Sequence, residues 1–204
     1  MSAEQNEHVR VGGLKNWKMK AALSNSIDWN RIREKLPVEK TPEDKAKRVQ
    51  LFEQFDPNGN GYLSLAEVDR GCRDVLGLHE IFECKKVIMR AFQAAKGANN
   101  AKNAKGSLGP DFVEKCEFRL LLLYLKEYFE IWQMFEKVDS GDDYRVNYDE
   151  FKQALPMFKR WGFEVKDPKA EFKVIDRNGG GEILFDEFAD WALKRRLDME
   201  EGED

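Results

Sequence analysis

DPNGNGYLSLAE, residues 56 to 67, is the stretch that decides the fold. It matches D-x-[DN]-x-[DN]-G-x5-E at every fixed position, the pattern of a twelve-residue EF-hand calcium loop. A hard cation takes six to eight oxygen ligands, and a tight turn must direct them inward. Asp56, Asn58 and Asn60 supply side-chain oxygens at positions 1, 3 and 5, and Gly61 permits the positive φ of the turn.

The remaining donors lie in the second half of this loop. Tyr62 offers its backbone carbonyl at position 7, Ser64 can act directly or through water at position 9, and Glu67 can bind with both oxygens at position 12. We therefore predict a Ca²⁺ site here. Since only two of these ligands carry a formal charge, we expect a modest affinity.

The same arrangement recurs along the chain. Four times an apolar helix ends, a polar stretch follows, and a glutamate precedes an apolar residue: Glu67-Val68, Glu117-Phe118, Glu150-Phe151 and Glu187-Phe188. An apolar residue stands four positions before each glutamate: Leu63, Val113, Val146 and Ile183. EF-hands pair through a short bridge at this position, so Leu63 should face Val113 and Val146 should face Ile183. The repeat predicts an all-α, calmodulin-like fold of four EF-hands in two pairs, each with a short two-stranded β bridge.

The second loop lacks the donors of the first. Counting back from Glu117 places Gly106, Leu108 and Pro110 at ligand positions, so we expect a structural hand without a cation site. The first and second terminal glutamates are 50 residues apart, whereas the next two intervals are 33 and 37. The segment GANNAKNAKGSLGP, 97–110, is therefore predicted to be an insertion.

The fourth loop, DRNGGGEILFDE at 176–187, is nearly complete. Its candidate metal ligands are Asp176, Asn178, the carbonyl of Glu182, and Glu187. Gly180 and Leu184 bring no side-chain oxygen to positions 5 and 9, where water can substitute. The pattern favours weak to moderate binding.

The third loop, DSGDDYRVNYDE at 139–150, departs further from the pattern. Its candidate metal ligands are Asp139, Asp143, the carbonyl of Arg145, and Glu150, with Asn147 at position 9. Gly141 removes the donor at position 3, and Tyr144 stands where glycine belongs. A non-glycine residue in the left-handed conformation costs about 1–2 kcal/mol. Three acidic ligands nevertheless exceed the two of the first loop, so the sequence leaves binding and non-binding both open.

Composition excludes several other classes of function. The net charge of −4 arises from 34 basic and 38 acidic side chains, a mixed surface that does not indicate a nucleic-acid partner. His8 and His79 are the only histidines, and no Gly-rich phosphate loop or nucleophile elbow is present. We therefore do not expect an enzyme.

The repeat also divides the chain. The predicted parts are a flexible N-terminal segment at 1–26, an N-terminal EF-hand pair at 27–125, a C-terminal pair at 126–197 and an acidic tail at 198–204. Three cysteines match neither a disulfide framework nor a zinc site, which favours a reducing, intracellular and cytoplasmic location. Because Ser2 replaces the glycine that N-myristoylation requires, direct membrane anchoring by acylation is not expected.

Aromatic side chains recur at helical spacing in the second half. They are accompanied by one methionine, and the set is Tyr124, Tyr128, Phe129, Trp132, Phe135, Phe151, Met157, Phe158, Trp161, Phe188 and Trp191. We expect most of them in the core, and some in a groove that takes a target helix or a membrane-associated partner when calcium opens the hands. The leading hypothesis is a calcium sensor. A calcium-independent structural adaptor and a calcium buffer remain as alternatives.

The segments outside the loops resemble one particular family. These segments are WNRIREKLPVEKTPEDKAKRVQLFEQFD at 29–56, EFRLLLLYLKEYFEIWQMFEKVD at 117–139, FKQALPMFKRWGFEVKD at 151–167 and DEFADWALKRRL at 186–197. They are similar to the flagellar calcium-binding proteins of trypanosomatids, the calflagins. The resemblance implies a four-hand calcium sensor of a flagellum or cilium that binds calcium mainly through its C-terminal pair. In this chain, by contrast, the first hand is the best formed.

Overall fold

The computed structural model describes residues 27–96, 98 and 111–201. Its helices are α1 Trp29–Lys35, α2 Pro42–Phe55, α3 Leu65–Arg70, α4 His79–Glu83, α5 Lys85–Ala95, α6 Phe118–Val138, α7 Tyr148–Gln153, α8 Leu155–Arg160, α9 Pro168–Ile175 and α10 Phe185–Glu201, with a π-helical turn at Gly71–Val75. The strands are β1 Tyr62–Leu63, β2 Val113–Glu114, β3 Arg145–Asn147 and β4 Glu182–Leu184. The predicted N-terminal segment, the predicted insertion apart from residue 98, and residues 202–204 of the predicted tail lie outside the described residues.

Capping residues set where the first helices begin. The side chain of Asp28 accepts hydrogen bonds from the backbone N–H groups of Asn30 and Arg31 at the start of α1. At the start of α2, Thr41 Oγ1 accepts from the N–H of Asp44 at 3.2 Å, and Pro42 takes the first helical position. Together these two residues fix the start of α2 at Pro42.

Two antiparallel bridges join the hands in pairs. Leu63 lies opposite Val113 between β1 and β2, and Val146 lies opposite Ile183 between β3 and β4. All four side chains are fully buried. The predicted fold of four EF-hands, paired through a two-stranded bridge at position 8, is confirmed.

The long helix α6 belongs to both pairs. It leaves the second hand after Glu117 and enters the third hand before Asp139 without a break. Of the eleven residues predicted for the core or groove, nine are buried and Tyr124 and Met157 are half-buried. In the C-terminal pair the rings of Phe158, Phe188 and Trp191 contact one another with centroids 5.3–6.3 Å apart.

Across the described ranges, none of the helices combines the length and the apolar character needed to cross a membrane.

Candidate metal centres

The carboxylate at position 1 organises the turn of the first loop. Asp56 Oδ1 accepts a hydrogen bond from the backbone N–H of Asn60 at 3.2 Å, and Oδ2 accepts from that of Gly61 at 2.8 Å. Gly61 has φ of 85°, the left-handed conformation that favours glycine. Asp56 is 8% exposed, so these bonds compensate for the burial of its charge.

The carboxylate at position 12 closes the same loop. Glu67 Oε1 accepts from Asn58 Nδ2 at 2.6 Å, and Oε2 accepts from the backbone N–H and the hydroxyl of Ser64 at 2.9 and 2.8 Å. Ser64 and Glu67 thus form the capping box of α3. This role was missed from the sequence, although Ser-x-x-Glu before an apolar residue is its recognised signal.

The fourth loop repeats this arrangement despite its two missing donors. Asp176 accepts from the N–H groups of Gly180 and Gly181 at 3.0 and 2.9 Å. Glu187 Oε1 accepts from the backbone N–H and Nδ2 of Asn178 at 3.1 and 2.8 Å. Its Oε2 accepts from the N–H of Leu184 at 3.0 Å, so the loop closes without a polar side chain at position 9.

The third loop adopts the same turn although tyrosine stands at position 6. Asp139 Oδ1 accepts from the N–H of Asp143 at 3.3 Å, and Oδ2 accepts from that of Tyr144 at 2.7 Å. Tyr144 has φ of 62°, so it takes the left-handed conformation that Gly61 takes in the first loop. The substitution has changed the residue without changing the turn.

Glu150 closes the third loop through a different set of donors. Its Oε2 accepts from the N–H of Asn147 at 3.0 Å, and Oε1 accepts from the N–H of Gly141 at 2.8 Å and from Ser140 Oγ at 3.0 Å. Burial raises the pKa of this carboxyl, but hydrogen bonds from Asn147, Ser140 and Gly141 together hold the pKa below its ordinary value. The contribution of Ser140 could not be read from the sequence because position 2 has no fixed residue in the loop pattern.

In the third loop the position of the missing donor lies close to both terminal carboxylates, and a side chain there would contact Glu150 tightly. A Cβ atom added at Gly141 would stand 3.3 Å from Glu150 Oε1 and 3.9 Å from Asp139 Oδ1. The carboxylates of positions 1 and 12 therefore both face position 3, as a cation cradle requires. The residues present fit a hard cation with one protein donor fewer than in the first loop.

The residues at position 7 lie in the bridging strands. Tyr62 is in β1, and Arg145 of β3 and Glu182 of β4 form an ion pair at 2.7 Å between Nη1 and Oε2. Of the second loop, Gly106, Leu108 and Pro110 lie outside the described residues. Its closing glutamate is described, and Glu117 Oε2 accepts from the N–H of Glu114 at 3.0 Å.

The side-chain donors of the first and fourth loops are carboxylate and amide oxygens, whereas the third loop offers the three carboxylates of Asp139, Asp143 and Glu150. Among the described residues, no three or more His, Cys, Asp or Glu side chains are gathered as a metal-binding group. Asp143 Oδ1 accepts from the N–H of Arg145 at 3.0 Å, just as Asn60 Oδ1 accepts from that of Tyr62 at 3.1 Å. Carboxylate, amide and carbonyl oxygens suit Ca²⁺, whereas zinc sites are built mainly from nitrogen and sulfur ligands.

Comparison with known proteins agrees with this geometry. Residues 32–125 match the family model described as the FCaBP EF-hand domain. The "Flagellar calcium-binding protein" of Trypanosoma cruzi is 43% identical over 173 residues, covering 84% of this chain and 81% of that protein. The "Flagellar calcium-binding protein TB-24" of Trypanosoma brucei brucei is 39% identical over 181 residues, covering 88% of this chain and 82% of that protein. The chain belongs to the flagellar calcium-binding protein family.

Proposed function

We propose that this chain is a calcium sensor that binds Ca²⁺ in its first, third and fourth loops. In the first loop Asp56, Asn58, Asn60, the Tyr62 carbonyl and Glu67 would hold the ion. In the third loop Asp139, Asp143, the Arg145 carbonyl and Glu150 would hold it. In the fourth loop Asp176, Asn178, the Glu182 carbonyl and Glu187 would hold it. Bound calcium would supply a positive charge that these oxygens share.

The shared closure of the three loops carries this proposal. In each loop the carboxylate at position 1 accepts from the N–H groups of positions 5 and 6, as Asp139 does from Asp143 and Tyr144. In each loop the glutamate at position 12 accepts from the N–H of position 9. Glu117 of the second loop also accepts from its position-9 N–H, so the carboxylate at position 1, which Gly106 cannot provide, favours counting the third loop among the sites.

The sensor role is supported by where the apolar surface lies. Large exposed apolar side chains are few among the described residues, and Met89 and Val174 are the most exposed of them, at 52% and 68%. The aromatic cluster around Phe151, Phe158 and Trp191 is covered by the hands of the C-terminal pair. A calcium-dependent rotation of those hands would offer this cluster to the apolar face of a partner helix or to a membrane-associated partner.

A dye titration tests the sensor role. We expect calcium to increase the binding of a hydrophobic dye by the full chain and to change its tryptophan fluorescence. Glu187→Gln should reduce both responses, whereas Glu53→Gln, an exposed change outside the loops, should leave them unchanged. Calcium binding with no change in dye binding would indicate a buffer and contradict the sensor.

We also propose that the protein works in a flagellum or cilium. Its relatives from Trypanosoma cruzi and Trypanosoma brucei brucei are named as flagellar proteins. Fluorescent tagging at the C-terminus in a flagellated cell tests this location. Signal confined to the cell body would contradict it.

A further inference from the structure

Besides packing along α6, helix α5 of the second hand has two polar contacts with side chains of the third and fourth hands. At the first point the guanidinium of Arg90 pairs with Asp190 of α10 and lies 3.4 Å from Asp186 Oδ1. The side chain of Arg90 is only 24% exposed, so this contact is partly shielded from solvent. Such a pair is stronger than a fully exposed one.

At the second point Lys86 lies over the aromatic side chain that replaces glycine in the third loop. Its Nζ is 4.9 Å from the ring centroid of Tyr144 and 5.8 Å from that of Trp132. The rings of Tyr144 and Trp132 stack with centroids 6.0 Å apart and an interplanar angle of 26°. These contacts offset the cost of a left-handed tyrosine. They give Tyr144 a structural reason to stand in a calcium loop.

Both points are tied directly to the candidate metal centres. The backbone N–H of Tyr144 donates to Asp139 Oδ2 at 2.7 Å, so one residue carries the interface ring and holds the first ligand. Asp190 Oδ2 accepts from Arg177, at position 2 of the fourth loop, at 2.6 Å. A rearrangement of either loop therefore acts on a residue that contacts α5.

We propose that Lys86, Arg90, Tyr144 and Asp190 form a latch through which calcium binding in the third and fourth loops changes the stability of helix α5. The inference rests on the proposed function, since it requires calcium in the C-terminal pair. It goes beyond that function by coupling the two EF-hand pairs through named contacts.

Hydrogen exchange of the α5 amides tests the latch. The experiment is done in the Glu67→Gln variant, in which the first loop lacks its closing ligand and calcium binds only to the C-terminal pair. In this full-length variant we expect calcium to change the exchange rates of residues 85–95 by about fivefold or more. Adding Lys86→Met and Arg90→Met should abolish the response, and Asp190→Asn should reduce it from the opposite side of the contact.

A neighbouring lysine provides the matched control. Lys85 lies on the same helix, but it pairs with Asp69 at 2.5 Å and lies over the ring of Phe82, both within the first two hands. Lys85→Met should therefore keep the calcium response of α5. Circular dichroism and thermal unfolding of each variant verify that it is folded.

Calorimetry on the same samples separates the possible failures. The latch would be overturned if calorimetry detected calcium binding while the exchange rates of the α5 amides stayed unchanged. It would also be overturned if those rates still responded to calcium after the substitutions of Lys86 and Arg90. Either result would leave the proposed function standing. Absence of calcium heat in the Glu67→Gln variant would overturn both.

Discussion

The first and third loops differ at positions 3 and 6 of the EF-hand pattern, yet they close alike. Asn58 and Gly61 of the first loop correspond to Gly141 and Tyr144 of the third. In both loops the carboxylate at position 1 accepts from the N–H groups of positions 5 and 6, and the carboxylate at position 12 accepts from the N–H of position 9. Glu150 additionally accepts from the N–H of Gly141. The comparison teaches that the terminal carboxylates define the loop, and that the other positions determine how many donors and how much strain it contains.

The largest expected effect comes from removing the closing glutamate of either loop. Glu67→Gln and Glu150→Gln should each weaken calcium binding in their own loop by about 100-fold. Even substitution of residues that only hydrogen-bond to the metal ligands lowers metal affinity by up to about 100-fold. Calorimetric titration with a competing chelator measures the loss. If Glu150→Gln left every binding step unchanged while Glu67→Gln removed one, the two loops would not be equivalent.

Restoring the missing donor should bring the third loop closer to the first. Gly141→Asn places an amide oxygen at position 3 and should raise calcium affinity of this loop by about tenfold. Gly141→Ala is the matched control because it adds the same Cβ, 3.3 Å from Glu150 Oε1, without an oxygen. Equal affinities of the two variants would show that the missing oxygen does not limit binding.

A smaller effect on stability should distinguish the two residues at position 6. Gly61→Ala should destabilise the protein in chelator by about 1 kcal/mol, because a Cβ is strained at φ of 85° although nothing lies within 4 Å. Tyr144→Gly should change the free energy of unfolding by less than about 1 kcal/mol, since relief of strain is offset by loss of the contact with Trp132. Urea unfolding measures both. A stabilisation of about 2 kcal/mol by Tyr144→Gly would contradict the role given to its ring.

The smallest effect is a pH dependence of the third loop. Because hydrogen bonds hold the pKa of Glu150 below its ordinary value, the charged carboxylate stabilises the fold above that value, and this stabilisation is lost as pH falls through the lowered pKa. In chelator, the wild type should therefore exceed Glu150→Gln in melting temperature at neutral pH, and the difference should shrink below about pH 4. The exposed neighbour Asp149→Asn is the control. A difference that stays constant down to pH 3 would contradict this account.

Local repetition explains how much of this architecture the sequence predicts. The apolar residue four positions before each glutamate identified the pairing of Val146 with Ile183, because strand position and helix start recur at fixed intervals. For Tyr144, the sequence predicted only the free-energy cost of a left-handed conformation. Its benefit depends on Lys86 and Trp132, which lie outside the loop and belong to no local sequence pattern. The pairing of Arg90 with Asp190, one hundred residues apart, was beyond sequence reasoning for the same reason.

The stoichiometry of calcium binding tests the central claim most directly. Calorimetric titration of the wild-type chain should count three ions, one in each of the loops closed by Glu67, Glu150 and Glu187, and Glu150→Gln should reduce the count to two. A wild-type count of two that Glu150→Gln leaves unchanged would show that the third loop keeps the closure of an EF-hand without binding calcium.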